Sequence, residues 1–362
     1  MNKISRLWAL VITISILALG AVVANSNSPS SAEGGCAGKA FVANQGLLSG
    51  TVSVINTATD AVVGSAIPVV SNPFGVAITP DGTKAYVTNY FDDSVSVIDT
   101  ATDAVVGSVI GVGDAPTDVA ITPNGAFAYV TNFGSDTVSV INTATDAVVG
   151  SPIGVGDAPT GVAITPDGAF AYVINGADDN VSVIDTATNA VVGSAIGVGD
   201  SPSDVAITPN GAFAYVTNYF GDNVSVINTA TNAVVGSPIS VGEYPHGVAI
   251  TPDGAFAYVT NNNEERKTLD DTVSVIDTAT NTVSATIAVG AGPYGVAITP
   301  DGTKAYVTNF NDDTVSVIDT ATNAVSATIA VGNEPRSVAI CPAAVVPPTT
   351  PTDPAVVLKF TG

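Results

Sequence analysis

The sequence has almost none of the residues from which most catalytic and metal sites are built. Among 362 residues there is one histidine, His246, and there are two cysteines, Cys36 and Cys341, which form no Cys-x-x-Cys pair. A histidine metal cluster and a pair of haem ligands are therefore excluded, and a Ser-His-Asp set is reduced to a minimum. No glycine-rich segment joins a strand to a helix, so a phosphate-binding loop is excluded as well.

Basic residues are also scarce. The chain has nine Lys and Arg against 32 Asp and Glu, which gives a formal net charge of −23. Such a surface repels the phosphates of nucleic acids and anionic lipids, so neither is expected as a partner. Cationic ligands, metal ions and a basic partner remain open. The simplest interpretation is that the acidic surface keeps a valine-rich exported protein soluble.

Residues 1–24 have the pattern of an export signal, with two basic residues before an apolar run from Leu7 to Val23. We expect cleavage after Ala24, leaving no membrane span and placing the protein outside the cell, at the cell surface or in the periplasm. The apolar run is just long enough to span a membrane, so an uncleaved anchor is the alternative. Residues 25–38 then form a linker.

The rest of the chain repeats one unit of about 43 residues. Tyr-Val-Thr-Asn, with close variants at the first and fourth positions of the series, begins at Phe41, Tyr86, Tyr129, Tyr172, Tyr215, Tyr258 and Tyr306. A fixed period of this length is typical of solenoids and propellers. The second unit contains four short runs rich in Val, Ile, Tyr and Thr, namely Gly75–Thr79, Ala85–Thr88, Ser94–Ile98 and Ala104–Val112. No segment after the signal has an apolar period of 3.6, so we expect essentially no helix.

Four antiparallel strands in each of seven units predict an all-β, seven-bladed β-propeller over residues 39–342. A β-helix is disfavoured because its rungs are shorter and lack four separate turns. The repeats begin with a segment equivalent to the second run of a unit, Ala40–Asn44, and end with a segment equivalent to the first run, Ser337–Cys341. The last strand should therefore complete the blade that the first three begin. Residues 343–362 remain as a tail rich in Pro and Thr.

The two cysteines fall on the two sides of this predicted seam. Alignment of the units places Cys36 and Cys341 where Asp301 and Thr299 stand elsewhere, on either side of one tight turn and within bridging distance. We therefore expect a disulfide that closes the ring, with two free thiols as the alternative. For a loop of roughly 300 residues, the chain-entropy model gives an upper bound of about 5 to 6 kcal/mol.

The recurring Tyr-Val-Thr-Asn, Val-Ala-Ile-Thr-Pro-Asp-Gly and Val-Ser-Val-Ile-Asp-Thr-Ala-Thr segments resemble the YVTN family of β-propeller repeats, over about Ala40 to Pro342. That family includes surface-layer and other cell-surface proteins. The resemblance therefore implies an exported seven-bladed propeller but no single activity. Wider relatives of the fold include lactonases and cofactor-bearing propellers.

The most informative positions are those at which the repeats differ. The residue after the conserved proline should start each innermost strand and ring the mouth of the central channel; round the ring it is Phe74, Thr117, Thr160, Ser203, His246, Tyr294 and Arg336. The four large members are adjacent once the ring closes, and Tyr244 and Glu334 flank them. This sector predicts a ligand or partner pocket with aromatic walls, Arg336 for an anion and His246 as a polar contact. The alternative is drift in exposed loops.

An insertion at Glu264–Leu269 belongs to the same sector and the same face. That face also carries acidic pairs in the loops between second and third strands, among them Asp92 with Asp93 and Asp312 with Asp313. Converging carboxylates are weak candidates for Ca²⁺, because no calcium loop of proper spacing is present. Solvation and turn capping are the alternatives, and no other cofactor is expected.

Near-identical repeats supply few of the inequivalent residues that catalysis needs. The sequence therefore favours a non-enzymatic, exported propeller that binds a protein or glycan partner at the cell surface, as a monomer or a surface assembly. Two alternatives remain. A lactonase-like hydrolase would use the channel mouth and would show a deep pocket with perturbed titratable groups. A surface-layer structural protein would assemble with its own copies.

Overall fold

The computed structural model describes residues 35–46, 50–262 and 271–343, and these residues form β-strands and turns without a helix. The strands make seven separate antiparallel sheets. Each innermost strand also contacts the innermost strands of two neighbouring sheets, and Pro335–Ile340 contacts Pro73–Ile78 to complete the circle. The predicted all-β, seven-bladed β-propeller is confirmed.

We call the strands of each blade inner, second, third and outer, and we number the blades one to seven by their inner strands. The inner strands are Pro73–Ile78, Pro116–Ile121, Pro159–Ile164, Pro202–Ile207, Pro245–Ile250, Pro293–Ile298 and Pro335–Ile340. The second strands, in chain order, are Lys39–Asn44, Lys84–Asn89, Phe127–Asn132, Phe170–Asn175, Phe213–Asn218, Phe256–Asn261 and Lys304–Asn309. The third strands, also in chain order, are Thr51–Asn56, Ser94–Asp99, Thr137–Asn142, Asn180–Asp185, Asn223–Asn228, Thr272–Asp277 and Thr314–Asp319.

The outer strand departs from the sequence prediction in five blades. There it consists of two short pieces that both pair with the third strand: Ala61–Val62 with Ile67–Pro68, Ala104–Val105 with Ile110–Gly111, Ala147–Val148 with Ile153–Gly154, Ala190–Val191 with Ile196–Gly197, and Ala233–Val234 with Ile239–Ser240. Gly107, with a φ of 71°, stands in one of these interruptions. Two blades have Ser-Ala-Thr instead of this glycine segment, and their outer strands, Thr282–Ala288 and Ala324–Ala330, are continuous. A left-handed glycine thus explains why a single run from Ala104 to Val112 does not form.

The hydrophobic core lies between adjacent blades. Each inter-blade cluster joins the tyrosine of one Tyr-Val-Thr-Asn segment to valines and isoleucines of the next sheet, as Tyr86 packs with Val119 and Val130. The buried tyrosine keeps its hydroxyl satisfied by reaching the turn after the next blade's third strand, where Tyr86 donates to Asp146 Oδ1 at 2.5 Å. The repeated motif therefore builds the contact between blades, which explains why it recurs so closely.

The ring closes as the sequence predicts. Pro335–Ile340 pairs antiparallel with Lys39–Asn44, so that Val338 lies opposite Val42. Cys36 and Cys341 form a disulfide with their Cα atoms 5.7 Å apart. In blade six the same two positions are held by a hydrogen bond from Thr299 Oγ1 to Asp301 Oδ1. A covalent bond thus takes the place of the hydrogen bond that closes this turn in the other blades.

A disulfide of this kind is compatible with an exported or periplasmic protein. None of the residues that the structure describes belongs to a helix of the length and apolarity needed to cross a membrane. The predicted signal at 1–24, residues 25–34 of the linker, the insertion Glu264–Leu269 and the tail beyond residue 343 lie outside the described residues.

Candidate functional site

A cavity of about 630 Å³ occupies the channel mouth that the inner strands enter. All seven residues that follow the inner-strand prolines line it: Phe74, Thr117, Thr160, Ser203, His246, Tyr294 and Arg336. The strand order fixes this convergence, because each blade contributes the same position to one ring. The cavity size lies within the range usual for small-molecule sites.

Arg336 is held between aromatic rings at one side of the cavity. Its guanidinium carbon lies 4.4 Å from the ring centre of Phe74, 4.6 Å from that of Tyr294 and 4.8 Å from that of Phe310. Its Nε–H donates a hydrogen bond to Gln45 Oε1. Three cation–π contacts and a hydrogen bond therefore fix a positive charge on the cavity wall.

His246 is stacked on the same assembly. Its ring centre lies 3.5 Å from that of Tyr294 and 5.7 Å from that of Tyr219, whose ring meets the imidazole edge-on. The side chain is open to the cavity yet lies deep among protein atoms. Burial, with a smaller contribution from the positive charge of Arg336, lowers the pKa of His246 to about 3. The imidazole is therefore neutral near pH 7, so it can be a hydrogen-bonding group but supplies no charge.

Further aromatic side chains join these residues at the mouth. We call the following set the aromatic collar: Phe74, Tyr90, Phe91, Phe133, Tyr219, Phe220, Tyr244, Tyr294 and Phe310. Its rings are in contact at centre distances of 5.0 Å for Tyr219 with Phe220 and 5.4 Å for Tyr90 with Phe91. Phe91 and Phe220 are 69% and 61% exposed. Exposed rings clustered about one opening are typical of a binding surface.

Sequence reasoning found only part of this collar, because it followed the position after the inner-strand proline. Most of the others come directly after the Asn that ends a second strand, as in Tyr90-Phe91, Phe133, Tyr219-Phe220 and Phe310. The sequence does mark this position as variable, because the other units have the non-aromatic residues Gln45, Gly176 and Asn262 there.

Two carboxylates that sequence reasoning did not select also line the cavity. Asp118 and Asp204 occupy the second position after the inner-strand proline, where most blades have glycine. Each reaches across to the following blade: Asp118 Oδ2 accepts the backbone N–H of Val162, and Asp204 Oδ2 accepts that of Val248, both at 3.0 Å. Blades two and four therefore place one acid each at the channel wall.

The environment of these acids favours their protonated forms. Burial raises the pKa of Asp118 to about 6, although the backbone N–H groups of Val162 and Val119 oppose the rise. Burial and then the negative charge of Asp118 raise the pKa of Asp204 to about 7, again opposed by backbone N–H groups. The two acids interact, so near neutral pH the pair retains about one proton. Raised pKa values in a cavity are typical of catalytic acids and bases.

The hydroxyl groups of the ring have different roles. Thr117 Oγ1 donates to the carbonyls of Pro159 and Thr160, and Ser203 Oγ donates to those of Pro245 and His246. These two hydroxyls join neighbouring inner strands. Thr160 Oγ1 is buried at the cavity and has no hydrogen-bond partner among the described residues.

The remaining predicted residues lie at the edge of the site or outside it. Tyr244 contacts Tyr219 at a ring-centre distance of 5.1 Å without lining the cavity. Glu334 does not line the cavity either; its backbone N–H donates to Asp313 Oδ1, and its carbonyl accepts from Gln45. Both have positive φ angles, 51° and 55°, which bend the chain into the inner strand. Glu334 is therefore part of a loop turn.

The acidic pairs cap loops. Asp93 Oδ1 accepts the N–H of Ala115, Asp92 Oδ2 accepts the hydroxyl of Ser94, and Asp312 Oδ2 accepts the N–H of Ala291. Asp313 Oδ1 likewise accepts the N–H of Glu334, so three of the four weak calcium candidates bond a backbone N–H of the loop that leads into an inner strand, and Asp92 bonds within its own loop. Within the parts of the chain that the structure describes, no three His, Cys, Asp or Glu residues are grouped so that they could hold a metal ion.

Comparison with known proteins identifies a family that this chain matches. The model of a family described as lactonase, 7-bladed β-propeller, matches residues 147–329. Among solved structures, the periplasmic gluconolactonase of Pseudomonas aeruginosa is 18% identical with a TM-score of 0.69, covering 84% of this chain and 99% of that one. A protein of Bacteroides fragilis described as a putative 6-phosphogluconolactonase is 18% identical with a TM-score of 0.68, covering 83% of this chain and 97% of that one.

Hydrazine synthase of Kuenenia stuttgartiensis is 28% identical with a TM-score of 0.68, covering 75% of this chain and 90% of that one. A search of curated proteins found no match.

These findings correct three predictions made from the sequence. The assignment to the YVTN repeat family is wrong, because the family model that matches is that of the lactonases. The expectation of a non-enzymatic interaction module is wrong for the same reason. The surface-layer alternative has no support among the matches. The recurrent motif describes the blade scaffold, which proteins of different activity share.

Proposed function

The chain belongs to the lactonase family of seven-bladed β-propellers, and on this premise we propose that it is a hydrolase that opens a lactone at the channel mouth. The observation that carries the proposal is the pair of interacting carboxylates, Asp118 and Asp204, in a cavity that Arg336 also lines. In the cyclic order of blades, Asp118 and Asp204 belong to blades two and four, and Arg336 belongs to blade seven, which is two blades from the first acid and three from the second.

The pair supplies a base and an acid at the same pH. When it holds one proton, the ionised carboxylate accepts a proton from water while the water oxygen bonds to the lactone carbonyl carbon. The tetrahedral intermediate then breaks its bond to the ring oxygen, which takes the proton of the other carboxyl group. The pair ends with one proton, as it began. The product is a hydroxy acid, which loses its carboxyl proton to solvent at neutral pH.

Arg336 suits the other requirement of the reaction, which is stabilisation of the negative oxygen of the intermediate. The guanidinium is fixed by Phe74, Tyr294 and Phe310, so it needs no rearrangement when charge develops. Neutral His246 adds a polar contact without repelling Arg336.

The fold alone is not evidence for lactone hydrolysis. The similar hydrazine synthase structure carries a different printed function on a comparable propeller. Support for the proposal comes from the family match together with this chain's own acids and arginine. The disulfide further supports action outside the cytoplasm, in the periplasm or beyond the cell.

The direct test measures proton release from several lactones at constant pH, with uncatalysed hydrolysis subtracted. We expect the wild-type protein to accelerate hydrolysis and the Asp118→Asn and Asp204→Asn variants to lose most of this rate. Asp92→Asn serves as the matched control, since Asp92 lies in a loop outside the cavity lining. Equal rates in the wild-type protein and both cavity variants would remove the two carboxylates from the mechanism.

A further inference from the structure

We propose that the site selects an uncharged lactone bearing an aromatic or alkyl group, in preference to a polyhydroxylated or phosphorylated sugar lactone. This inference rests on the proposed function and adds the class of substrate. It also separates this chain from the sugar lactones for which two of its structural neighbours are named. Three properties of the mouth carry it: apolar rings, committed polar groups and the sign of the charge.

The first property is the aromatic collar. Phe91, Phe133, Tyr90 and Tyr219 line the cavity beyond the ring of inner-strand residues. Phe91 is 69% exposed, so its ring has most of its surface still to bury. An apolar group entering the mouth gains contact with these rings and removes them from water. A flat or branched apolar substituent therefore fits the approach to the acids.

The second property is that several polar groups of the cavity are already committed to other protein groups. Thr117 and Ser203 donate their hydroxyl hydrogens to backbone carbonyls, and the side-chain carbonyl of Gln45 accepts from Arg336. A sugar lactone carries several hydroxyl groups, each of which needs a partner when it leaves water. A buried hydroxyl without one costs about 1 to 3 kcal/mol. These committed groups are not available to a polyol, whose hydroxyl groups would compete for Arg336, His246 and the two acids.

The third property is the distribution of charge. Three of the four basic side chains in the described ranges form ion pairs at the opposite ends of the strands: Lys39 with Asp103, Lys84 with Asp146, and Lys304 with Asp60. Arg336 is the fourth, and it shares the cavity with Asp118 and Asp204. A phosphate dianion would meet one cation and a partly ionised pair of acids, so its binding is disfavoured relative to a neutral group.

The experiment compares three lactones at pH 7 by proton release: dihydrocoumarin as an uncharged aryl lactone, glucono-δ-lactone as a neutral polyol, and 6-phosphogluconolactone. We expect kcat/KM for dihydrocoumarin to exceed both others by at least about tenfold, the equivalent of about 1.4 kcal/mol. A sugar lactone hydrolysed as well or better would overturn this inference and leave the proposed function intact. Hydrolysis of none of the three, nor of a simple alkyl lactone, would overturn the proposed function.

A variant pair tests the role of the collar itself. Phe91→Ala should raise KM for dihydrocoumarin about fivefold with little change in kcat, because it removes ground-state contact and leaves the acids in place. Phe256→Ala is the control, since Phe256 is 37% exposed but lies beside the Thr-Pro-Asp-Gly turn of the opposite face. The same KM in both variants would show that the collar does not bind the substrate.

Discussion

Asp118 accepts the backbone N–H of Val162 in the next blade, with Oδ2 3.0 Å from the nitrogen. The acid therefore has a structural contact as well as a place in the cavity, and a useful substitution must separate the two. Asparagine retains a carbonyl oxygen that can accept the same N–H but has neither negative charge nor an exchangeable carboxyl proton. Asp204 stands in the same relation to Val248.

The Asp118→Asn and Asp204→Asn variants should each lower kcat for lactone hydrolysis by about 10² to 10⁴, the usual contribution of a positioned acid or base. Their folded structure should persist, because the contact to the next inner strand is retained. Steady-state kinetics measures the first effect and thermal unfolding the second. A large loss of rate together with an unchanged melting temperature would separate the chemical role from the structural one.

The rate should also have a narrow pH optimum. Below about pH 6 both carboxyl groups hold protons and no base is available; above about pH 7 both are ionised and no acid remains. We expect a bell-shaped profile of kcat/KM whose two limbs belong to the pair as a whole. His246→Gln should keep both limbs, because the pKa of His246 is lowered to about 3 and the group does not titrate in this range. Loss of the acidic limb in that variant would assign it to the imidazole.

Stability should respond to the same pair with a definite sign. The folded-state pKa values of Asp118 and Asp204 lie above the ordinary value of 3.8, so the folded protein binds more protons than the unfolded chain between about pH 4 and pH 7. Their contribution to the free energy of unfolding therefore falls as pH rises through that interval. The Asp118→Asn/Asp204→Asn double variant should lose this part of the pH dependence. Urea unfolding of both proteins at pH 5 and pH 8 measures the difference.

Arg336→Lys should lower kcat/KM about tenfold, although it keeps the positive charge. A lysine ammonium lacks the planar group that lies between Phe74 and Tyr294 and cannot reproduce the Nε–H bond to Gln45. Lys304→Arg is a matched control, because Lys304 pairs with Asp60 away from the cavity. Equal kinetics in the two variants would mean that charge alone, without the fixed orientation, is sufficient.

The disulfide should contribute to stability and leave the chemistry unchanged. The Cys36→Ser/Cys341→Ser variant should lower the free energy of unfolding by up to about 5 to 6 kcal/mol, because an unfolded chain without this cross-link has more conformations. Its kcat/KM near pH 7 should equal that of the wild-type protein at a temperature where both are folded. Urea unfolding with and without reductant checks the first statement; an unchanged midpoint after verified reduction would contradict it.

The repeated part of the sequence predicted the fold well because its physical demands are local and recur seven times. Strand-forming residues, tight turns and a buried tyrosine appear at the same places in each unit, and the phase of the units locates the seam. The outer strand was predicted less well because the effect of Gly107 depends on its backbone angle. Alternation of residue type alone does not reveal that angle.

The site was predicted only in part, and for a different reason. Phe74, His246, Tyr294 and Arg336 stood out because they replace small residues in a repeated frame. Asp118 stood at a comparable position but looked like an ordinary polar strand residue, since its raised pKa comes from burial among blades that are distant in sequence. The prediction of a non-enzymatic protein was wrong because the repeated residues on which it depended build the blade scaffold. The proposed activity depends on the few positions where the repeats differ.

Because the ring is closed, the seven residues at the mouth, one from each blade, form a circle with no first or last member. The strand Pro335–Ile340 takes its place beside Lys39–Asn44 as any other inner strand does in its own blade. A circular permutant can be made by joining the two sides of the disulfide seam with a peptide and opening the chain at another Thr-Pro-Asp-Gly turn. Its channel mouth would have the same seven residues in the same cyclic order. The chemistry of the mouth thus depends on which blades are adjacent in the ring and does not depend on which blade contains the chain ends.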